Sequence, residues 1–265
     1  IEMLRQWRSG TGLIAGINRR CASTHFGFES VEEKEKEEKV RQVFSGVANK
    51  YDLMNDVMSG GIHRLWKDYF IQSLPIRSDA QILDVAGGTG DIAMRAIDRF
   101  KRCHVTVCDI NEDMLRVGEE KARADPKVDS SRLKWIQGDG EKLPFEDNSF
   151  DAFTISFGIR NCTHVDKVVS EAHRVLRPNG LFACLEFSRI HPSLSWLYDT
   201  YSFQVIPIMG QVIAGDYNSY KYLVESIRRF PSQDEFASLI SSTGLRDVRY
   251  ENLSFGICAI HTARK

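Results

Sequence analysis

The chain has 265 residues, of which 42% are hydrophobic and 27% charged, and its formal net charge is −1. That length buries a sizeable core, as one large domain or one domain with additions, and the composition is that of an ordinary globular protein. The near-zero charge speaks against a nucleic-acid binder, no apolar run is long enough to span a bilayer, and the six cysteines hold no C-x-x-C pair that would suggest a zinc site or a disulfide framework.

Residues 1–28 stand apart. They carry four arginines (Arg5, Arg8, Arg19, Arg20) against Glu2, with scattered Ser and Thr. This is the composition of an organellar transit peptide. Taking that +3 away from −1 leaves −4 on the remainder, which has no general attraction for phosphate backbones. Residues 29–70 read as an N-terminal helical segment. Ser30-Val31-Glu32-Glu33 has the form of a capping box, and Val40, Val43, Phe44 and Val47 make one apolar helical stripe.

From residue 71 onward the pattern is a single domain. Strands are predicted at Ile82–Val85, His104–Cys108, Leu133–Gln137, Asp151–Phe157 and Leu181–Phe187. Helices fall between them: Ile92–Phe100, one capped by Asn111 and running through Ala124, and one capped by Thr163 and stopped by Pro178-Asn179-Gly180. Alternating β-α-β units with mostly apolar strands predict a parallel sheet covered on both faces. Residues 190–228 break the rhythm with aromatic and large aliphatic side chains, which predicts a helical cap insertion. A helix from Pro231-Ser232 to Gly244 and two closing strands, Val248–Leu253 and Gly256–His261, complete the chain.

The chemistry centres on Asp84-Val85-Ala86-Gly87-Gly88-Thr89-Gly90-Asp91, where a strand enters a glycine-rich turn that opens a helix. Gly88 to Ala93 fits the G-x-G-x-x-A dinucleotide fingerprint, and Asp109 ends the next strand, where an acid grips ribose hydroxyls. A nicotinamide-dependent dehydrogenase is therefore one reading. Three features favour another. Asp84 would repel a pyrophosphate but welcome an ammonium. Asp139, in Gly138-Asp139-Gly140, is placed to accept from an adenine amino group. Leu143-Pro144-Phe145 to Asp151 leads into the fourth strand. A nucleoside with an amino-acid tail, S-adenosylmethionine, fits all three.

These placements resemble class I S-adenosylmethionine-dependent methyltransferases, a Rossmann-like α/β fold with a seven-stranded, mostly parallel sheet and one antiparallel strand at its end. The stretches Tyr51 to Trp66, Ser156-Phe157-Gly158-Ile159-Arg160-Asn161, Arg174 to Gly180 and Leu185-Glu186-Phe187-Ser188 further resemble the ubiquinone/menaquinone-biosynthesis C-methyltransferase family, from about Val40 to the C-terminus. Asn179 stands where that family usually has glycine, and Gly140 where it often has alanine. The resemblance implies S-adenosylmethionine as cofactor, held by Gly88, Thr89, Asp109, Asp139, Gly140 and Ser156, with no metal. It implies a polyprenyl benzoquinol acceptor, with Arg160 holding phenolate-like charge or orienting a water, Asn161 bonding a ring oxygen, and Tyr51 closing over cofactor or ring. His63 and Trp66 are expected to be structural. With the basic N-terminus it implies a mitochondrial enzyme on the matrix side of the inner membrane, peripherally attached, in a multisubunit biosynthetic complex. Another phenolic or sterol acceptor, or a non-catalytic scaffold role, stays open.

Overall fold

The computed structural model describes residues 23–47, 55–56 and 58–265. The N-terminal residues form an antiparallel hairpin, β1 (Ser23–Phe26) and β2 (Glu29–Glu32), followed directly by helix α1 (Glu33–Val47). Ser30 therefore lies in a strand paired with His25, and the expected capping box is not there. The boundary expected at residue 28 falls at the tip of this hairpin. Helix α2 (Ile62–Ser73) buries His63, Trp66, Lys67, Phe70 and Ile71 on one face.

Seven strands form the main sheet in the order β5-β4-β3-β6-β7-β9-β8. They are β3 (Gln81–Val85), β4 (His104–Asp109), β5 (Leu133–Gln137), β6 (Phe150–Ser156), β7 (Leu176–Phe187), β8 (Arg246–Leu253) and β9 (Cys258–Arg264). Pairing is parallel from β5 to β7, and β9 runs antiparallel to both β7 and β8. The antiparallel strand is thus last in the chain but inserted one place in from the sheet's edge. The connections are α3 (Asp91–Arg99), α4 (Glu112–Ala124), α5 (Val165–Val175) and α9 (Gln233–Ser242). Asn111 caps α4 as expected, its side chain accepting from the Met114 N–H.

Two details differ from the sequence reading. The N-cap of α5 is His164, not Thr163, and the Glu141 carboxylate takes the free N–H groups of both residues at 2.7 and 2.8 Å. Second, β7 begins at Leu176 and absorbs Pro178-Asn179-Gly180 as a bulge, because Phe150 pairs with Leu176 while Ala152 pairs with Leu181. Asn179 sits there at φ +64°, a conformation asparagine tolerates.

Strand alternation sends side chains to two cores. Ile82 packs with Phe70, Ile71, Ala93 and Ile97 on the α2/α3 face, while Leu83 and Val85 pack with Phe153, Val168 and Ala172 on the other. Phe70, Phe153 and Phe182 are fully buried, each worth roughly 1.5–3 kcal/mol of hydrophobic burial. The same alternation turns Asp84 toward α2 and α3. The stretch expected to form a cap is helical: α6 (Pro192–Thr200), a π-helical turn at Tyr201–Val205, α7 (Ile206–Ala214) and α8 (Tyr217–Arg229).

Candidate active site

The chain runs outward from β3 to β5 and then returns to the opposite side of β3 with β6, so strand order reverses at β3. Open α/β sheets bind ligands outside the carboxyl ends of strands at such a point. A cleft lies there. Gly88, Thr89, Asp109, Asp139, Gly140, Ser156 and Asn161, named from sequence, all line it, together with Asp84. Tyr51 lies outside the described residues.

The backbone around the cleft is shaped for close approach. A side chain at Gly158 would put its Cβ 2.5 Å from the Cβ of Ala86, and one at Gly87 would lie 2.6 Å from Val107 Cγ1. Ala86 and Phe157, at the ends of neighbouring strands, both adopt left-handed φ (+49° and +55°), which for a bulky phenylalanine marks a strained, over-determined position.

Asp84 is buried, and its Oδ1 accepts from the Thr154 hydroxyl at 2.8 Å. Its Oδ2 has no partner. Burial pushes its pKa up to about 7. Asp109 is pushed up by burial as well, opposed by N–H donors from Asn111 and Gly88, each at 2.8 Å. The Ser156 hydroxyl is buried without a partner. An orphaned carboxylate oxygen and an orphaned hydroxyl on one glycine-lined wall are the marks of a site completed by a polar ligand. They fit S-adenosylmethionine. Asp84 would face its ammonium and Asp109 its ribose. Asp139, exposed, with Oδ1 taken by the Glu141 N–H, would face the adenine.

A second cavity adjoins the first, and Phe44, Lys67 and Phe157 line both. Its walls are largely aromatic: Trp66, Phe157, Phe187, Tyr198, Tyr220 and Tyr222. Arg160 lines this cavity while Asn161 lines the first. The two occupy a 3₁₀ turn, Ile159–Asn161, in which successive residues point about 120° apart.

Arg160 is held tightly. Its Nη1 donates to Glu186 Oε1 at 2.9 Å and to the Phe157 carbonyl, and its guanidinium lies 5.4 Å from the Phe187 ring centre. Glu186 is fully buried; burial raises its pKa, and the Arg160 charge opposes that. The Arg160 Nε is buried with no acceptor. Asn161 Oδ1 accepts from the Tyr222 hydroxyl at 2.9 Å, and Tyr222 stacks on Phe26 with ring centres 4.0 Å apart. Burial raises the Tyr222 pKa, which keeps its proton available as a donor. His63 bonds Asp56 at 2.9 Å and Trp66 donates to Ser254. Both are packed as expected, and both also line the second cavity.

Sequence reasoning passed over three residues. Glu186 had a signal, an acid inside the apolar run Leu181–Phe187. Lys67 had a weaker one, a lysine on the apolar face of α2. Tyr222 had none, because its partner lies 61 positions away.

A sheet reversing at β3, a glycine turn, and carboxylates closing β3 and β4 define a class I S-adenosylmethionine-dependent methyltransferase. More particularly, the chain belongs to the ubiE/COQ5 methyltransferase family, which it matches over residues 32–265. It is 55% identical to the mitochondrial 2-methoxy-6-polyprenyl-1,4-benzoquinol methylase of Caenorhabditis elegans, over 91% of this chain and 85% of that protein. It is 50% identical to the Homo sapiens protein of the same name, over 93% and 86%. The fold is shared with a possible histamine N-methyltransferase of Thermotoga maritima (TM-score 0.61, 17% identity, covering 85% of this chain and 99% of that one). It is also shared with phosphoethanolamine N-methyltransferase 2 of Haemonchus contortus, solved with S-adenosyl-L-methionine (TM-score 0.53, 18% identity, covering 72% and 50%).

Proposed function

We propose that this chain transfers a methyl group from S-adenosylmethionine to a ring carbon of a polyprenyl-methoxy-benzoquinol in ubiquinone biosynthesis. The observation that carries the reading is the pair of adjoining cavities: a carboxylate-lined one beside a more apolar, aromatic one, with shared walls at Phe44, Lys67 and Phe157. The names of the C. elegans and human relatives agree with it.

S-adenosylmethionine supplies an electrophilic methyl group on a sulfonium. The chain's residues orient the acceptor and stabilise charge. Aromatic walls align a flat ring and exclude water. The orphaned Arg160 Nε–H is a donor for a ring oxygen as it gains phenolate character, in a setting where such a bond is strong. Arginine keeps its proton, so Arg160 holds charge and does not act as the base. Asn161, oriented by Tyr222, is available to a second ring oxygen.

The apolar length of the second cavity, walled by Ile206, Leu223 and Ile227 of the cap, suits a prenyl tail. The cap also leaves Trp196, Phe203, Val205, Ile208 and Val212 exposed. Such a patch supports peripheral attachment to the inner membrane or seating in a multisubunit complex on its matrix side. No described helix is long and apolar enough to cross a membrane. The arginine-rich residues 1–28 suit mitochondrial import. The test is methyl transfer from labelled S-adenosylmethionine to a short-tailed methoxy-benzoquinol kept reduced. A purified chain that binds S-adenosylhomocysteine but leaves this ring unlabelled would overturn the acceptor assignment.

A further inference from the structure

We infer that the Lys67 ammonium is the receptor for the α-carboxylate of the cofactor's amino-acid tail, completing with Asp84 a two-point clamp for a zwitterion. The inference rests on the S-adenosylmethionine reading above and deepens it.

An amino-acid tail brings a carboxylate as well as an ammonium. In this cleft the carboxylate meets a hostile wall, because Glu37, Asp84, Asp91, Asp109, Asp139 and Glu141 all line it. Among the described residues only Arg41 and Lys67 bring cationic side chains to that lining. Arg41 is an unsuitable receptor. Its side chain is 60% exposed and its guanidinium is bound to Glu38 on the same helix. The nearby Arg160 faces the second cavity and is committed to Glu186.

Lys67 is different. Its side chain is 7% exposed, and its ammonium meets Asp91 Oδ2 at 2.8 Å. An ammonium has three donors, and one is used in that bond. Asp91 does not need Lys67 alone, since its Oδ1 is paired with Arg95 at 3.0 Å. Leaving a lysine buried with spare donors is costly unless something else accepts from it.

Position supports the same conclusion. Lys67 comes from the buried face of α2, and strand alternation turns Asp84 toward that face. Lys67 lines both cavities, which places its side chain where they meet, and its charge acts on both Asp84 and His63. The reacting end of the cofactor has to sit at that junction. Asp84 Oδ2, orphaned and buried, takes the ammonium half. A cationic and an anionic receptor side by side read both charges of an α-amino acid at once.

The test is calorimetric binding of S-adenosylhomocysteine and of its decarboxylated analogue to the full chain and to Lys67→Gln and Lys67→Arg. In the unaltered chain, loss of the carboxylate is expected to weaken binding about tenfold to hundredfold, the range for a charge-assisted bond. In Lys67→Gln the two ligands are expected to bind nearly alike, and Lys67→Arg restores the preference. An unaltered chain that holds both ligands equally overturns the inference even if the glutamine variant fails to fold. So does a Lys67→Gln protein that keeps the full preference. If the unaltered chain binds neither ligand, the S-adenosylmethionine reading itself falls, and the clamp with it.

Discussion

The two cavities are neighbours built on opposite plans. The cofactor cleft is made of consecutive pieces: the ends of β3, β4, β5 and β6 and the turns that leave them, within residues 84–163 apart from α1 and Lys67. The acceptor cavity draws on Phe44, Trp66, Phe157, Tyr198, Tyr222 and Ser254, spread over most of the chain. The first presents fixed carboxylates and close backbone, and the second an aromatic surface around one buried ion pair. A polar ligand of constant shape can be held by one local supersecondary unit, because strand ends and helix starts repeat the same geometry. An apolar, tailed acceptor needs a wall assembled from many elements.

The comparison breaks hardest at the ion pair. Arg160→Ala leaves Glu186 buried and unpaired, and removing one partner of such a pair costs about 3–5 kcal/mol. Turnover is expected to be lost with a large drop in Tm. Arg160→Lys keeps the charge but loses the Nε donor, so it should fold, bind S-adenosylhomocysteine normally and still be slow. Normal turnover in the lysine variant would remove the assigned role of Nε.

Next in size is Asp109→Ala. With no carboxylate to receive the Gly88 and Asn111 N–H groups, the turn loosens, and cofactor affinity is expected to fall about tenfold or more. Titration calorimetry reads it. An unchanged dissociation constant would place the ribose elsewhere.

Asp84 gives a pH signature. Its folded-state pKa near 7 lies above the roughly 3.9 of an unfolded chain, so the contribution to stability is full below that lower value. It is lost as pH rises through about 7. The Tm of the free protein, relative to Asp84→Asn, should therefore fall across that window. Cofactor affinity should run the other way, rising toward pH 7 as the carboxylate forms, because an ammonium partner favours its charge. Parallel pH profiles for the two proteins would mean that Asp84 is not the titrating group.

The smallest effect concerns the hairpin. Phe26→Ala removes the stack on Tyr222, worth roughly 0.5–1.5 kcal/mol beyond burial. A Tm lower by a few degrees, with a raised KM for the acceptor and little change in cofactor binding, is expected from loosening Tyr222 and through it Asn161. A change in cofactor binding alone would assign the hairpin to the other cavity.

Much of the cofactor side was legible because its signals are local. Asp84, the glycine turn, Asp109 and Asp139 occupy strand ends that apolar runs reveal. The hairpin was misread, since Ser30 and Glu33 match a helix start and only pairing with His25 makes Ser30 a strand residue. Thr163 was misread as well: the helix begins one residue later, with the Thr163 and His164 N–H groups bound to the distant Glu141 carboxylate. Arg160 and Asn161 were singled out from the sequence, yet their separation into two cavities was not visible in two adjacent letters.

The amino-acid sequence alone determined the alternating α/β pattern, the covered parallel sheet and the class of ligand at its reversal point. Periodicity and turn chemistry are short-range, and they survive without knowledge of neighbours. Tertiary structure decided which charges are paired, which stay orphaned and which surfaces meet. The Arg160–Glu186 pair, the Tyr222–Asn161 bond and the Lys67 ammonium between two cavities all depend on contacts across tens of residues. Burial, which gives each of those contacts its strength, exists only once the chain has closed around them.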